Sequence, residues 1–152
     1  MTLTYRFCRD LAWLGFKALG ATRVIGLENV PRTGMCILAG NHVSVLDPPI
    51  VSSSVRRECA FMARHDLWRW RPLGALITRL NSFPVHRDKA DRNAIRLSCR
   101  ALERGLALVM FPEGTRSPDG RLGKAEMGVA LIVQRSGAPV VPVAIVGTEK
   151  ML

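Results

Sequence analysis

Hydrophobic and polar residues follow two different periods along this chain, and the change of period divides it into two parts. In residues 3–19 the apolar side chains recur every three or four positions, which places them on one face of an amphipathic helix. That face consists of Leu3, Phe7, Leu11, Leu14 and Ala18. From residue 22 onward, short apolar runs of strand length replace the helical period. The pattern predicts an N-terminal helical segment, residues 1–21, followed by a single domain at 22–152.

Within that domain the apolar runs predict strands that alternate with helices. The predicted strands are 24–27, 36–39, 58–63, 82–86, 106–111 and 140–146. The predicted helices are 48–57, 88–104 and 125–135. Such alternation is typical of an α/β fold in which helices flank a central sheet of mostly parallel or mixed strands.

A histidine and a carboxylate follow the strand predicted at 36–39. His42 lies at the exit of that strand, and Asp47 stands directly before two prolines, where a helix begins. If the residues between them fold as a turn, the carboxylate can accept the imidazole N–H and leave the other ring nitrogen as a general base. The alternative is that Asp47 only caps the helix. His86 and Asp91 have the same spacing, but their charged surroundings favour a solvated stretch.

A second polar cluster, Glu113-Gly114-Thr115-Arg116, follows the strand predicted at 106–111. Backbone N–H groups beside a glycine, a hydroxyl and a guanidinium suit an anionic oxygen. The chain has no G-x-S-x-G motif and no cysteine in a comparable turn. An acid–base histidine without a protein nucleophile indicates that the substrate supplies one, for example an alcohol that attacks an activated acyl group.

The charge of the chain favours anionic partners. The formal net charge is +10, and 18 of the 22 basic residues are arginines. Because guanidinium binds phosphate through a planar fork, a phosphorylated metabolite, an anionic membrane or a nucleic acid would fit. An Arg-rich composition without such a partner is the alternative. The scattered cysteines lack metal-site spacing, which argues against zinc and favours a reducing compartment.

All three tryptophans lie in segments whose composition suits a membrane interface. Trp13 is on the N-terminal helix, and Trp68 and Trp70 belong to the apolar, arginine-containing segment 66–80. Packing of both segments on their own domain is the alternative. Because the chain lacks a run of ~20 apolar residues and a signal peptide, we expect a peripheral or monotopic protein at the cytoplasmic face of a membrane.

Four sequence blocks, NHVSVLD, FPVHR, FPEGTRS and VPVAIVGT, occur in this order and resemble those of the glycerolipid acyltransferases, above all the bacterial lysophosphatidic acid acyltransferases. The resemblance runs from residue 24 to the end and implies the layered α/β fold of that family. It also implies transfer of an acyl group from acyl-CoA or acyl carrier protein to the free hydroxyl of a lysophosphatidate, with no metal and no cofactor.

The resemblance assigns roles to individual residues. It makes His42 the general base and Asp47 its partner, and it places Pro142 on the acyl-donor side. The implied glycerophosphate site consists of Arg87, Glu113, Gly114, Thr115 and Arg116, with the two arginines on the phosphate.

Three features depart from the family pattern. His86 stands where relatives often have an acidic residue, and Lys124 and Glu126 precede Gly128 where relatives place a lysine shortly before a glycine. The chain also stops soon after the fourth block, so we expect it to lack the C-terminal part of the fold.

Three other functions are open alternatives. A thioester or phosphoester hydrolase would use water in place of the alcohol, and another lysolipid could serve as the acceptor. A basic lipid- or nucleic-acid-binding module without catalysis would account for the charge. No nucleic-acid signature accompanies the spread of arginines, so no nucleic-acid partner is expected.

Overall fold

A five-stranded parallel sheet forms the centre of the protein in a computed structural model that describes residues 2–20, 22–86 and 91–151. The strands are β1 (Cys36–Gly40), β2 (Cys59–Arg64), β3 (Ser82–Val85), β4 (Ala107–Met110) and β5 (Val140–Val143). Their order is β3-β2-β4-β1-β5, and every pairing is parallel. The predicted α/β architecture is confirmed, and its sheet is wholly parallel over the described residues.

Helices cover both faces of the sheet. They are α1 (Leu3–Leu19), α2 (Asp47–Ser54), α3 (Arg71–Arg79), α4 (Arg92–Glu103) and α5 (Met127–Ser136), and short 3₁₀ turns lie at Leu27–Asn29, His65–Arg69 and Thr148–Lys150. Ile37 packs with α4 and α5, whereas Leu38 packs with α2. Because successive side chains of a strand point to opposite faces, this alternation places the two helical layers on opposite sides.

The order of the strands creates a crevice between β1 and β4. From β1 the chain crosses toward β2, and from β4 it crosses in the opposite direction toward β5. Neighbouring strands whose connections run in opposite directions mark the place, at their carboxyl ends, where open α/β sheets bind ligands. The two polar clusters of the sequence follow these two strands.

Prolines lie on both outer strands of the described sheet. In parallel pairs, alternate residues direct their backbone groups toward one neighbour. The amide of Ile37 on β1 donates to the carbonyl of Pro139, and an amide of β2 donates to the carbonyl of Asn81. Since the direction alternates from one residue to the next, the backbone groups of Pro142 and Pro84 point away from the neighbouring strand. Neither proline can donate a backbone N–H, but at these two positions an N–H would point away from the neighbouring strand. The prolines therefore cost the sheet no hydrogen bond.

The structure corrects the elements predicted at two places. The strand predicted at 24–27 is wrong, because Gly26 takes a left-handed φ of 77° and a 3₁₀ turn begins at Leu27. The helix predicted at 88–104 begins at Arg92, since the Asp91 carboxylate accepts the amides of Asn93 and Ala94 and caps it. Residues 88–90 lie outside the described residues.

Helix α1 packs on the domain through a different face from the predicted apolar one. Tyr5 and Phe16 are buried, and the Tyr5 hydroxyl accepts a hydrogen bond from the Cys59 amide at 2.8 Å. The predicted stripe, which includes Phe7 and Leu14, is exposed. None of the described helices combines the length and the apolar composition that crossing a membrane requires. The helix thus has one face for its own domain and a second apolar face without a partner among the described residues.

Candidate active site

A tight turn between β1 and α2 brings His42 and Asp47 together. The imidazole Nδ1 lies 2.8 Å from Asp47 Oδ2, and the same oxygen accepts the amides of Val43 at 2.7 Å and Ser44 at 2.8 Å. Asp47 is the first residue of α2, and Leu46 takes the N-cap position without a side-chain bond. The carboxylate therefore binds the turn ahead of the helix and does not cap the helix.

Asp47 is fully buried yet well supplied with donors. Its exposed fraction is 0%, and its second oxygen accepts the Thr148 hydroxyl at 2.6 Å. Burial alone would raise the pKa of Asp47, but the bonds from Thr148, Ser44, His42 and Val43 outweigh it and hold the pKa below its ordinary value. The ionised carboxylate fixes the imidazole with Nδ1 protonated. Because His42 keeps 7% of its surface exposed, the imidazole is the member of the pair that a substrate can reach.

The turn that follows β4 holds His42 from the other side. The Phe111 ring stacks on the imidazole with 4.1 Å between centroids and an interplanar angle of 18°. The backbone of His42 is bound at both ends, because its carbonyl accepts the Ser117 amide at 2.7 Å and its amide donates to Glu113 Oε1 at 3.3 Å. The orientation of the ring is thus set by Asp47, by stacking and by two backbone contacts.

Glu113 joins two backbone segments. Its Oε1 faces the His42 amide, and its Oε2 accepts the Gly123 amide at 2.9 Å. The sequence resemblance placed this residue in the glycerophosphate site, where a carboxylate would repel a phosphate. Both oxygens of Glu113 instead hold the His42 turn against the loop before α5, which gives the residue a positioning role in this structure.

The remaining residues of the second cluster lie beside His42 at the same crevice. Gly114 adopts a left-handed φ of 69°, and its amide donates to the Phe111 carbonyl at 3.0 Å, which closes the turn. Thr115 and Arg116 are exposed, and the Thr115 hydroxyl donates to the Arg116 carbonyl. The exposed guanidinium of Arg116 is thus accessible to an anion at this turn.

Four other residues singled out from the sequence are Arg87, Pro142, Lys124 and Glu126. Arg87 lies outside the described residues. Pro142 is exposed on β5. Lys124 and Glu126 are also exposed, and the Glu126 amide donates to the Pro112 carbonyl at 2.8 Å. Over the described residues, no group of three or more His, Cys, Asp or Glu side chains is arranged to hold a metal ion.

The structure adds two residues that sequence reasoning missed. Thr148 binds Asp47, and Asn41 exchanges two hydrogen bonds with the backbone of Ile145, at 2.9 and 2.7 Å. Both contacts link the exit of β1 to the segment after β5. The only signal in the sequence is that a polar Thr follows a glycine at the end of the fourth block.

A protein-family model described as Acyltransferase matches residues 21–146. The chain belongs to the Acyltransferase family. This confirms the resemblance found in the four blocks, and the Gly114 turn, His42 and the buried Asp47 all fall within the matched region.

Solved and curated relatives agree with the family. The crystal structure of the 1-acyl-sn-glycerophosphate (LPA) acyltransferase PlsC from Thermotoga maritima has a TM-score of 0.82 and 31% sequence identity, covering 95% of this chain and 58% of that chain. The 1-acyl-sn-glycerol-3-phosphate acyltransferase BAT2 of Brassica napus is 30% identical over 86% of this chain and 39% of its own length. The 1-acyl-sn-glycerol-3-phosphate acyltransferase of Bacillus subtilis is 25% identical over 94% of this chain and 71% of its own length. The chain therefore spans about two fifths of the plant relative.

Proposed function

We propose that the protein transfers an acyl group from acyl-CoA or acyl carrier protein to the free hydroxyl of 1-acylglycerol-3-phosphate and so makes phosphatidate. The observation that carries the proposal is the His42–Asp47 pair, which is bound at 2.8 Å and is held beside the turn that carries the exposed Arg116. The names of the relatives supply the acceptor, because each is called a 1-acyl-sn-glycerol-3-phosphate or 1-acyl-sn-glycerophosphate acyltransferase.

The base acts through the nitrogen that Asp47 leaves free. Nε2 of His42 takes the proton of the acceptor hydroxyl while the oxygen attacks the thioester carbonyl. The new C–O bond forms, the C–S bond breaks, and the proton passes from the imidazolium to the departing sulfur. Asp47 stays ionised throughout and stabilises the imidazolium. The acyl donor is a substrate, and the proposed mechanism uses no metal and no cofactor.

The acceptor phosphate is proposed to lie on the second cluster. Arg116 supplies a bidentate guanidinium, and Gly114 and Thr115 supply the turn and the hydroxyl beside it. Arg87 follows β3 and is the second proposed arginine. Glu113 takes part through the backbone contacts described above, and we assign it no contact with the phosphate.

We also propose that the protein works on an anionic membrane surface at the cytoplasmic face. The apolar stripe of α1 supports this, since Phe7, Leu11 and Leu14 keep 68%, 58% and 67% of their surface exposed. An apolar helix face with basic residues beside it can lie in the headgroup region, and the net charge of +10 favours anionic lipid. Trp70, which is exposed in the segment before α3, is a residue type that favours the membrane interface and is a second proposed membrane contact.

A thioesterase is the competing enzyme, because the same base can activate water. The deciding measurement is free-thiol release from acyl-CoA, or from acyl carrier protein, by the protein on phosphatidylglycerol vesicles with and without lysophosphatidate. Release only with the acceptor, and its loss in His42→Ala, would support the transferase. Release without the acceptor would identify a hydrolase, and no release from either donor would refute the proposed activity for this chain.

Arg116→Ala tests the phosphate site in the same assay. We expect a rise in the acceptor KM with a smaller change in kcat, because a phosphate contact of the bound substrate is lost. Arg121→Ala is the matched control: Arg121 is also exposed in this loop and lies 3.8 Å from Asp119. Equal acceptor KM values in the two variants would remove Arg116 from the phosphate site.

A further inference from the structure

The second oxygen of Asp47 is bound by a hydroxyl from a distant part of the chain. Three donors, the imidazole and the Val43 and Ser44 amides, share Oδ2, whereas Oδ1 accepts Thr148 at 2.6 Å. Thr148 is 4% exposed, so water does not readily replace its hydroxyl. The two residues are 101 positions apart in sequence.

The backbone delivers Thr148 to this place. Gly147 has a left-handed φ of 91°, and Thr148 begins the 3₁₀ turn that follows it. Two residues before Gly147, the backbone of Ile145 is bound to Asn41, which directly precedes His42. The segment after β5 is therefore attached to the catalytic turn at two points, and the Thr148 hydroxyl makes the contact nearest the carboxylate.

Because Asp47 Oδ1 is buried, losing the hydrogen bond from the Thr148 hydroxyl would be costly. Asp47 is fully buried, and Thr148 lines a pocket of about 740 Å³ together with the apolar side chains of Ile50, Val51 and Ile145. A buried carboxylate oxygen without a donor is costly, since the low dielectric strengthens both a satisfied bond and the penalty of a missing one. A carboxylate that lost Thr148 would turn to share its remaining donors, and Oδ2 would then leave its position opposite Nδ1.

We propose that Thr148 is a positioning residue of the active site, whose hydroxyl fixes the Asp47 carboxylate in the orientation that keeps His42 protonated on Nδ1. The catalytic consequence rests on the proposed function. The effect on the imidazole follows from the hydrogen bonds alone. The charged groups that the described structure places against His42 are Asp47 on α2 and Glu113 on the loop after β4.

The test compares Thr148→Val, which keeps the shape and removes the donor, with Thr148→Ser, which keeps the donor. We expect Thr148→Val to lower kcat about tenfold with acceptor KM within twofold, a smaller loss than removal of the base itself. The ¹⁵N spectrum of the imidazole should show a reduced Nδ1–H population for His42, identified by its absence in His42→Ala. Thr148→Ser should restore both the rate and the spectrum.

Ser98→Ala provides the control for a merely structural role. Ser98 is also fully buried, and its hydroxyl donates to the Ala94 carbonyl at 2.8 Å on α4. This variant should lose stability and keep kcat and the His42 spectrum. If Thr148→Val does not fold, Thr148→Cys replaces it in the test, because a thiol is a weaker hydrogen-bond donor of similar size. The losses of kcat and of the Nδ1–H population should then be smaller than those expected for Thr148→Val.

Two results would overturn the inference. A Thr148→Val or Thr148→Cys protein with unchanged kcat and an unchanged His42 spectrum would reduce Thr148 to a packing residue. Equal losses in Thr148→Ser, which keeps the hydroxyl, and in Thr148→Val, which lacks it, would show that the effect does not depend on the hydroxyl. If the unaltered protein transferred no acyl group, the proposed function would fail, and the imidazole spectrum would still decide the role of Thr148.

Discussion

Glu113→Ala should damage this protein more than Glu113→Gln, and the difference should report the contact between Glu113 and the His42 amide. The carboxylate accepts one amide on each oxygen, from His42 at 3.3 Å and from Gly123 at 2.9 Å. A glutamine has one acceptor oxygen, and its NH₂ group would face the other N–H donor to donor. The Gly123 end is exposed, so water can replace that partner. A glutamine can turn its oxygen to the part-buried His42 amide and keep that contact, whereas Glu113→Ala loses it, at about 1.5–3 kcal/mol for a hydrogen bond to a charged group.

Urea unfolding and acyl-transfer kinetics together check this value. We expect Glu113→Ala to unfold at lower urea concentration with an unchanged slope, and to lose kcat because the backbone of His42 is no longer held. Glu113→Gln should show smaller losses of both. The acceptor KM should change little, since Glu113 faces amides and not the substrate. Glu103→Gln, an exposed glutamate at the end of α4, removes the same charge as a control. A Glu113→Ala protein of normal stability and kcat with a raised acceptor KM would refute the positioning role and return Glu113 to the phosphate site.

Three further outcomes are expected. The pKa of Asp47 is lowered in the folded state, so its ionised form stabilises the fold fully above the ordinary carboxyl pKa. This stabilisation is lost as the pH falls through the lowered pKa. The free energy of unfolding, measured with urea from pH 7 to 3, should therefore fall less steeply with acid in Asp47→Asn than in the unaltered protein. Arg57→Met should cost about 3 kcal/mol in urea unfolding, since the buried guanidinium donates to three backbone carbonyls; a loss below 1 kcal/mol would contradict this. Leu11→Glu should reduce sedimentation with phosphatidylglycerol vesicles at unchanged stability, because Leu11 is 58% exposed; equal sedimentation would exclude α1 as the membrane contact.

The parts of the site that could be predicted from the sequence are local. His42 and Asp47 are five residues apart, and the apolar run before them and the prolines behind them mark a strand exit and a helix start. A short turn is enough to join them, so the contact needs no knowledge of the fold. The Gly114 turn could be found for the same reason.

The parts that could not be predicted depend on distant neighbours. Thr148 reaches Asp47 only because β5 lies beside β1, which the order of elements along the chain does not specify. Glu113 has the chemistry of a polar-site residue, but which groups it faces is set by the His42 turn 71 positions away. Helix α1 has two apolar faces, and the period alone does not say which one packs on the domain.

The same His and Asp spacing occurs twice in this chain, and the position of each strand in the sheet explains why only one pair makes a site. His42 follows β1, which lies between β4 and β5, so residues after both neighbours hold the turn: Phe111 and Glu113 on one side and Thr148 on the other. His86 follows β3, which pairs only with β2 among the described strands.

At that edge the second pair makes a different contact. Asp91 accepts the backbone amide of His86 at 2.9 Å while capping α4, and the exposed His86 ring lies against His65 with 4.2 Å between centroids. Its imidazole gains no buried carboxylate partner from Asp91. The histidine with a fixed orientation is the one whose interior strand brings neighbours to both sides of the turn, so the spacing of the motif matters less than the strand it follows.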